Sequence, residues 1–104
     1  VFIAAAGMAA HLAGAVAAHS IKPVIGIPIE SGGMGGIDSL LSTAMMPPGV
    51  PVATVAVGKS GAKNSAILAV QILATADEEL SQKLKDYKKN MREEVLEKDK
   101  KLNS

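Results

Sequence analysis

The sequence has no cysteine and no tryptophan, and it has one tyrosine and one phenylalanine among 104 residues. The lack of cysteine excludes disulfide frameworks, catalytic thiolates and cysteine-ligated zinc, and it favours a cytoplasmic location. Aromatic residues make up 2% of the chain, although 48% of it is hydrophobic. Alanine and aliphatic side chains must therefore build the core, and such small side chains let the backbones approach closely. A chain of 104 residues forms one domain at most.

Charged side chains are concentrated at one end of the sequence. Residues 1–76 carry five of them, and residues 77–104 carry eight acids interleaved with eight bases. The interleaving of acids and bases indicates a helix face that is exposed to solvent. Because the formal net charge of the chain is also only +1, we do not expect nucleic acid as a partner. Residues 1–18 lack Asp, Glu, Lys and Arg, but they are rich in alanine and interrupted by Gly7 and Gly14. We therefore do not expect a membrane span or a membrane partner.

Apolar runs alternate with helical patterns along the first part of the chain. The runs predict strands at residues 1–5, 24–29 and 52–57, and the patterns predict helices at residues 8–18, 38–43 and 62–74. Continuously apolar strands joined by helices are typical of a parallel sheet, so the sequence predicts an α/β domain. Three strands make a thin sheet, which indicates a partial fold whose first strand needs further chain or another subunit at its open edge.

The charged end of the chain follows a helical period. Thr75 and Glu78 match a capping box, and apolar residues recur every three or four positions at Leu80, Leu84, Tyr87, Met91 and Val95. We therefore expect a single partial domain, residues 1–104, with a strand and helix body at residues 1–76 and an amphipathic C-terminal helix and tail at residues 77–104.

Two glycine-containing turns could bind an anion where a strand leads into a helix. Gly7 leaves the backbone bare at the end of the first strand, and His11 follows about one helical turn later. A buried turn of small residues with a structural histidine explains the same pattern. The turn at residues 31–36 resembles a dinucleotide fingerprint only loosely, and it fits a tight subunit contact equally well.

Other candidate motifs have ordinary structural explanations. Gly58-Lys59-Ser60 imitates the end of a phosphate loop, but the position of its first glycine is Ala53, inside a predicted strand. Asp38 is predicted to cap a helix, and His19 is predicted to satisfy carbonyl groups at a helix end. Two histidines with one nearby carboxylate do not make a metal site, so no metal is expected.

Several motifs occur together in a fixed order over nearly the whole chain. They are AAAGMAAHLAG at residues 4–14, PVIGIPI at 23–29, GIDSLLS at 36–42, MPPGVPVATVAVGKSGAKNSAILAVQILA at 46–74 and REEVLE at 92–97. This set resembles the N5-carboxyaminoimidazole ribonucleotide mutase family of bacterial purine biosynthesis, which corresponds to the catalytic subunit of phosphoribosylaminoimidazole carboxylase.

The resemblance implies a fold and a reaction. The fold is a flavodoxin-like, three-layer αβα sandwich around a five-stranded parallel sheet, of which this chain supplies the last three strands. The family assembles as a homo-octamer with sites between subunits. Its reaction moves a carboxylate from the exocyclic nitrogen of an aminoimidazole ribonucleotide to ring carbon C4, through released and retained carbon dioxide, and it needs no cofactor.

The resemblance also implies roles for particular residues. Ala6 and Gly7 contact the migrating carboxylate, and His11 supports the loop or the substrate. Met8 belongs to the same substrate-binding turn, and Ala9 and Leu12 wall the pocket. Met46 and Pro47 reach the site of a neighbouring subunit.

Two family motifs do not occur in these 104 residues. They are the Gly-Ser-x-Ser-Asp loop for phosphate and ribose and the Ser-Ala-His-Arg segment that bears the general acid and base. We therefore expect the chain by itself to be inactive.

Three other functions remain open at this point. Another branch of the family carboxylates aminoimidazole ribonucleotide directly, although residues Ala9-Ala10-His11-Leu12 favour the mutase. A non-enzymatic interaction module built on the C-terminal helix and a generic nucleotide-binding α/β domain are the two alternatives outside the family.

Overall fold

The computed structural model describes residues 1–7, 11–31 and 35–103. The chain divides into two compact units, Val1–Ala69 and Val70–Ser104; the expected single domain stays a prediction. In chain order the described elements are β1 (Phe2–Gly7), α1 (Leu12–Ala18), β2 (Val24–Ile29), α2 (Ile37–Ala44), β3 (Ala53–Thr54), α3 (Lys59–Ala74) and α4 (Glu78–Leu102). Strands and helices alternate through β3 and α3, which confirms the predicted α/β class.

The described strands form one parallel sheet in the order β1-β2-β3. β1 pairs with β2 from Phe2 opposite Val24 to Gly7 opposite Ile29. Because both crossovers run between adjacent parallel strands in the same direction, right-handed connections place α1 and α2 on the same face of the sheet. This arrangement is the flavodoxin-like α/β architecture.

β3 is shorter than the predicted strand at residues 52–57. It pairs with β2 only through Ala53 opposite Ile25 and Thr54 opposite Gly26. The Val55 N–H still donates to the Gly26 carbonyl at 3.1 Å, but the next donor from β2 toward β3 would be the nitrogen of Pro28, which has no hydrogen. The ladder is interrupted there, and the Pro28 carbonyl accepts instead from the Gly58 N–H at 3.0 Å.

Side chains from both helices pack closely over Gly26, in the middle of β2. A Cβ atom added to Gly26 would collide with the Thr43 methyl group from α2, and it would lie 3.2 Å from the Ala13 Cβ atom of α1. It would also lie 3.0 Å from a methyl group of Val52. Beside this contact, Ala4, Ala13 and Val24 form a buried cluster. Both helices therefore approach the sheet where one strand has no side chain.

Two helix ends differ from the sequence-based predictions. Asp77, and not Thr75, caps α4, because its carboxylate accepts from the Leu80 N–H at 3.1 Å. The Thr75 hydroxyl instead donates to the Ile72 carbonyl at 2.7 Å. At α2, Gly36 occupies the cap position with φ of 84°, and Asp38 lies in the first turn, where its charge favours the positive end of the helix.

We predict that Gly26→Ala lowers the free energy of unfolding by about 1–3 kcal/mol, because the added methyl group overpacks the contact with Thr43. Chemical denaturation measures the change. Thr43→Ser removes the methyl group that is struck first and keeps the hydroxyl, so adding it to Gly26→Ala should restore part of the loss. Strictly additive losses would contradict this account of the packing.

Candidate functional site

The carboxyl ends of β1 and β2 meet at Gly7 and Ser31. Gly7 lies opposite Ile29 in the strand register, and Ser31 follows Ile29 by two residues. A Cβ atom on Gly7 would collide with the Ser31 hydroxyl group, and it would lie 2.9 Å from the Ser31 Cβ atom and 3.3 Å from the Ile29 carbonyl oxygen. Only glycine fits this strand end, and the Ser31 side chain lies directly over the bare backbone.

A partly buried hydrogen bond joins this strand end to α2. The Ser39 hydroxyl, on a residue that is 1% exposed, donates to the Ile29 carbonyl at 2.7 Å. The Thr43 hydroxyl, one turn later, donates to the Ser39 carbonyl at 2.7 Å. The strand end beside Gly7 is thus held by the same helix that packs over Gly26.

A second part of the candidate site is a surface cavity of about 510 Å³ between α1 and the segment that follows α2. It brings together three of the residues predicted from the sequence, His11, Met46 and Pro47. The rest of its described lining is Gly14, Ala15, Ser42 and Met45. A Cβ atom on Gly14 would lie 3.2 Å from the Met46 sulfur, so glycine lets this segment approach α1 closely.

The predicted site residues fall into separate groups. Ala6 and Gly7 lie at the end of β1, and Leu12 begins α1. None of these three residues belongs to the described lining of the cavity that contains His11. Leu12 is 51% exposed and His11 is exposed. Met8 and Ala9 lie outside the described residues. The reach of Met46 and Pro47 into a neighbouring subunit stays a prediction, and here both residues line a cavity with His11 of their own chain.

From the sequence, Ser31 belongs to the glycine-rich turn of residues 31–36 without a role of its own, and Ser42 is not predicted to belong to the site. Ser31 could have been found from the register, because pairing Gly7 with Ile29 places the residues after Ile29 next to the glycine. Ser42 gave no comparable signal, since its place in the cavity depends on how α1 and α2 pack on the sheet.

The chemistry of the cavity follows from its lining. His11 is the one ionisable side chain in the described lining, and the remaining residues offer a hydroxyl group and apolar surface. Such a lining suits a small neutral or weakly polar group, and an anion would need donors from elsewhere. The described part of the chain holds no group of three potential metal-ligating side chains.

A second cavity, of about 530 Å³, opens beside Pro23 and Val24 at the start of β2. Lys22, Gly49 and Pro51 are among its lining residues. Ligands of parallel sheets bind at the opposite edge, outside the carboxyl ends of the strands, so this cavity is the weaker candidate.

The strands form a parallel sheet, and a helix follows each of them. This arrangement, in which Gly7 ends β1, places the chain among the flavodoxin-like α/β proteins. Residues 1–94 match the AIR carboxylase family. The chain belongs to this family.

Among the described residues, none of the helices combines the length and the apolar character that a membrane crossing requires.

Individual relatives carry a more specific name, N5-carboxyaminoimidazole ribonucleotide mutase. The protein of that name from Escherichia coli (strain K12) is 55% identical over 97 residues, which are 93% of this chain and 57% of the relative. The Bacillus subtilis (strain 168) protein is 53% identical over 97 residues, 93% of this chain and 60% of the relative. The Methanocaldococcus jannaschii protein is 48% identical over 102 residues, 98% of this chain and 63% of the relative. The chain therefore spans less than two thirds of the length of these relatives.

We predict that Ser39→Ala lowers the free energy of unfolding by about 1–3 kcal/mol, because the Ile29 carbonyl loses its buried donor. Ser42→Ala, in the same helix but half-buried, is the matched control and should change stability by no more than about 0.5 kcal/mol. Urea denaturation of the two variants makes the comparison. Equal effects would show that the loss comes from the helix as a whole and not from the bond to Ile29.

Proposed function

We propose that this chain forms the carboxylate-transfer part of an N5-carboxyaminoimidazole ribonucleotide mutase of de novo purine biosynthesis. The reaction moves the carboxylate of the substrate from N5 to C4 and gives 4-carboxy-5-aminoimidazole ribonucleotide. The observation that carries this proposal is the bare Gly7 backbone at the end of β1, in a chain about half identical to proteins named as this mutase.

The chemistry explains why such a strand end is useful. The bond between N5 and the carboxylate carbon breaks, its electron pair returns to the aminoimidazole, and carbon dioxide is released. Ring carbon C4 then forms a bond to the same carbon dioxide and loses its proton, while N5 gains a proton, and groups outside these residues carry both protons. The enzyme must keep carbon dioxide beside the ring and away from water, which calls for a small pocket with backbone donors.

The proposed residue roles follow this chemistry. Ala6 and Gly7 contact the migrating carboxylate, and Leu12 walls the pocket together with Met8 and Ala9, which lie outside the described residues. His11 positions the loop or the substrate. Ser31 joins this set because its side chain lies against Gly7.

The proposal includes partners and a location. The small-molecule partner is the ribonucleotide substrate, and the protein partner is the chain itself in a homo-octamer, where Met46 and Pro47 contact the site of a neighbouring subunit. The location is the cytoplasm. Phosphate binding and proton transfer are assigned to groups outside these residues, in keeping with the apolar lining of the cavity.

A chimera tests the proposal. The chain replaces the matched 97 residues of the Escherichia coli relative, and the product is assayed for conversion of N5-carboxyaminoimidazole ribonucleotide to 4-carboxy-5-aminoimidazole ribonucleotide. We expect mutase turnover by the chimera and none by the chain without the added part. A folded chimera that instead carboxylates aminoimidazole ribonucleotide with carbon dioxide, or that has neither activity, would contradict the proposal.

Within the chimera, the two histidines at the ends of α1 form a matched pair. We predict that His11→Asn lowers kcat by about tenfold or more, as expected when a positioning group is lost from the site. His19→Asn should leave kcat near that of the parent, because the His19 ring bonds the Ala15 carbonyl at 2.8 Å within its own helix. Steady-state kinetics of both variants separate kcat from KM, and equal losses would remove His11 from the site.

A further inference from the structure

Ser39, in α2, connects the interior of the first unit to the candidate site. Three residues with a hydroxyl group, Ser39, Thr43 and Ser65, are 1–3% exposed in the described part of the chain. The hydroxyl groups of Thr43 and Ser65 donate to carbonyl groups of their own helices. The Ser39 hydroxyl instead donates at 2.7 Å to the carbonyl of Ile29, at the end of β2. Ser39 therefore bonds a backbone atom of the candidate site from a buried position.

The bonded carbonyl oxygen lies where the migrating carboxylate is expected. It is 3.3 Å from the position of a Cβ atom on Gly7, and under the proposed function Gly7 contacts that carboxylate. A carbonyl oxygen carries partial negative charge, so it repels a carboxylate oxygen at close range. Donation from Ser39 occupies one of its two lone pairs and lowers this repulsion. The buried hydroxyl can therefore act on the carboxylate through the Ile29 carbonyl.

The same bond restrains the backbone that leads to Ser31. Ser31 follows Ile29 by two residues, and the Ser31 side chain and the Ile29 carbonyl are the groups nearest to the Cβ position of Gly7. Carbon dioxide carries no net charge, so ion pairs cannot hold it. Its retention depends on walls that stay closed until ring carbon C4 has reacted. The Ile29 carbonyl and Ser31 are two such walls, and Ser39 binds the first of them.

We propose that Ser39 is a positioning residue that keeps carbon dioxide in the site between its release from N5 and its capture by C4. This inference rests on the proposed function and adds to it a residue that does not touch the substrate. The Ser39 hydroxyl holds the Ile29 carbonyl, and with it the segment of Ser31, against Gly7. Without that hydroxyl, the strand end separates from α2 more readily, and carbon dioxide leaves before C4 reacts with it.

The escape of carbon dioxide tests this role directly. The chimera with the Escherichia coli relative receives substrate labelled with carbon-13 in its carboxylate, in excess unlabelled bicarbonate. Mass spectrometry counts labelled product as retention, and it counts unlabelled product together with enzyme-dependent release of aminoimidazole ribonucleotide as escape. The ratio of escape to retention is a property of each turnover, so it does not change with the amount of folded enzyme. We expect Ser39→Ala to raise this ratio several-fold over the parent chimera.

Ser65→Ala is the matched control. Ser65 is buried to the same extent as Ser39 and donates over the same 2.7 Å, but its partner is the Ala62 carbonyl within α3. This variant should keep the parental ratio of escape to retention. An equal rise in both variants would show that loosened packing causes the escape, and it would overturn the role assigned to Ser39.

Ser39→Cys separates the hydrogen bond from the volume of the side chain. The thiol fills the buried position but is a weak donor, so we expect a ratio between those of the parent and of Ser39→Ala. This variant decides the question if Ser39→Ala does not fold, and a parental ratio would then overturn the inference.

The outcomes distinguish this inference from the proposed function. A parent chimera without mutase turnover contradicts the proposed function, and the inference falls with it. A parent that turns over, with a ratio that Ser39→Ala leaves unchanged, keeps the proposed function and overturns only the role of Ser39. A parent that already exchanges its label with bicarbonate also overturns that role, because there is then no retention for Ser39 to support.

Discussion

The architecture of the first unit depends on the absence of a side chain at Gly26. Ala13 from α1, Thr43 from α2 and Val52 before β3 all converge on that position, at distances that leave no room for a methyl group. Both helices lie on the same face of the sheet because successive right-handed crossovers join adjacent strands. Without a gap in the strand beneath them, two neighbouring helices could not both come this close to β2. The buried cluster beside this position accordingly consists of small side chains, Ala4, Ala13 and Val24.

The position of α2 determines the geometry of the candidate site. One side of the helix packs through Thr43 over Gly26, and its first turn donates through Ser39 to the end of β2. Because Ile29 lies opposite Gly7, this bond also fixes the place where the bare backbone of β1 meets Ser31. The other end of α2 leads into the segment of Met46, which closes against Gly14 of α1. Core packing and site geometry are therefore set by the same contacts.

The sequence predicts those parts of this arrangement that depend on local patterns. Apolar runs locate β1 and β2, the helical pattern of residues 62–74 locates α3, which begins earlier, at Lys59, and the ordered motifs identify the family. Most of the missed features depend on partners distant in sequence, and the exception is the start of α4, where two nearby residues compete as the cap. β3 ends early because Pro28, on the neighbouring strand, cannot donate to it. The capping box at Thr75 fails because Asp77 offers a carboxylate to the same helix end. Ser31 enters the site only through the register that sets it against Gly7, and Ser42 only through the packing of α1 beside α2.

The composition of the site bears on the kind of ligand that it can hold. A phosphate group transferred into the apolar cavity beside His11 would lose hydration that the described lining, with one ionisable side chain, does not replace. Carbon dioxide loses little hydration, because it carries no net charge and is small. Gly7 itself has no side chain, so the strand end beside the Ser31 hydroxyl group offers backbone dipoles to such a small molecule. No Asp, Glu, Lys or Arg side chain belongs to the described lining of this cavity. That composition suits the proposed reaction, whose mobile intermediate is neutral, and under the proposal the anionic part of the substrate is held by other groups.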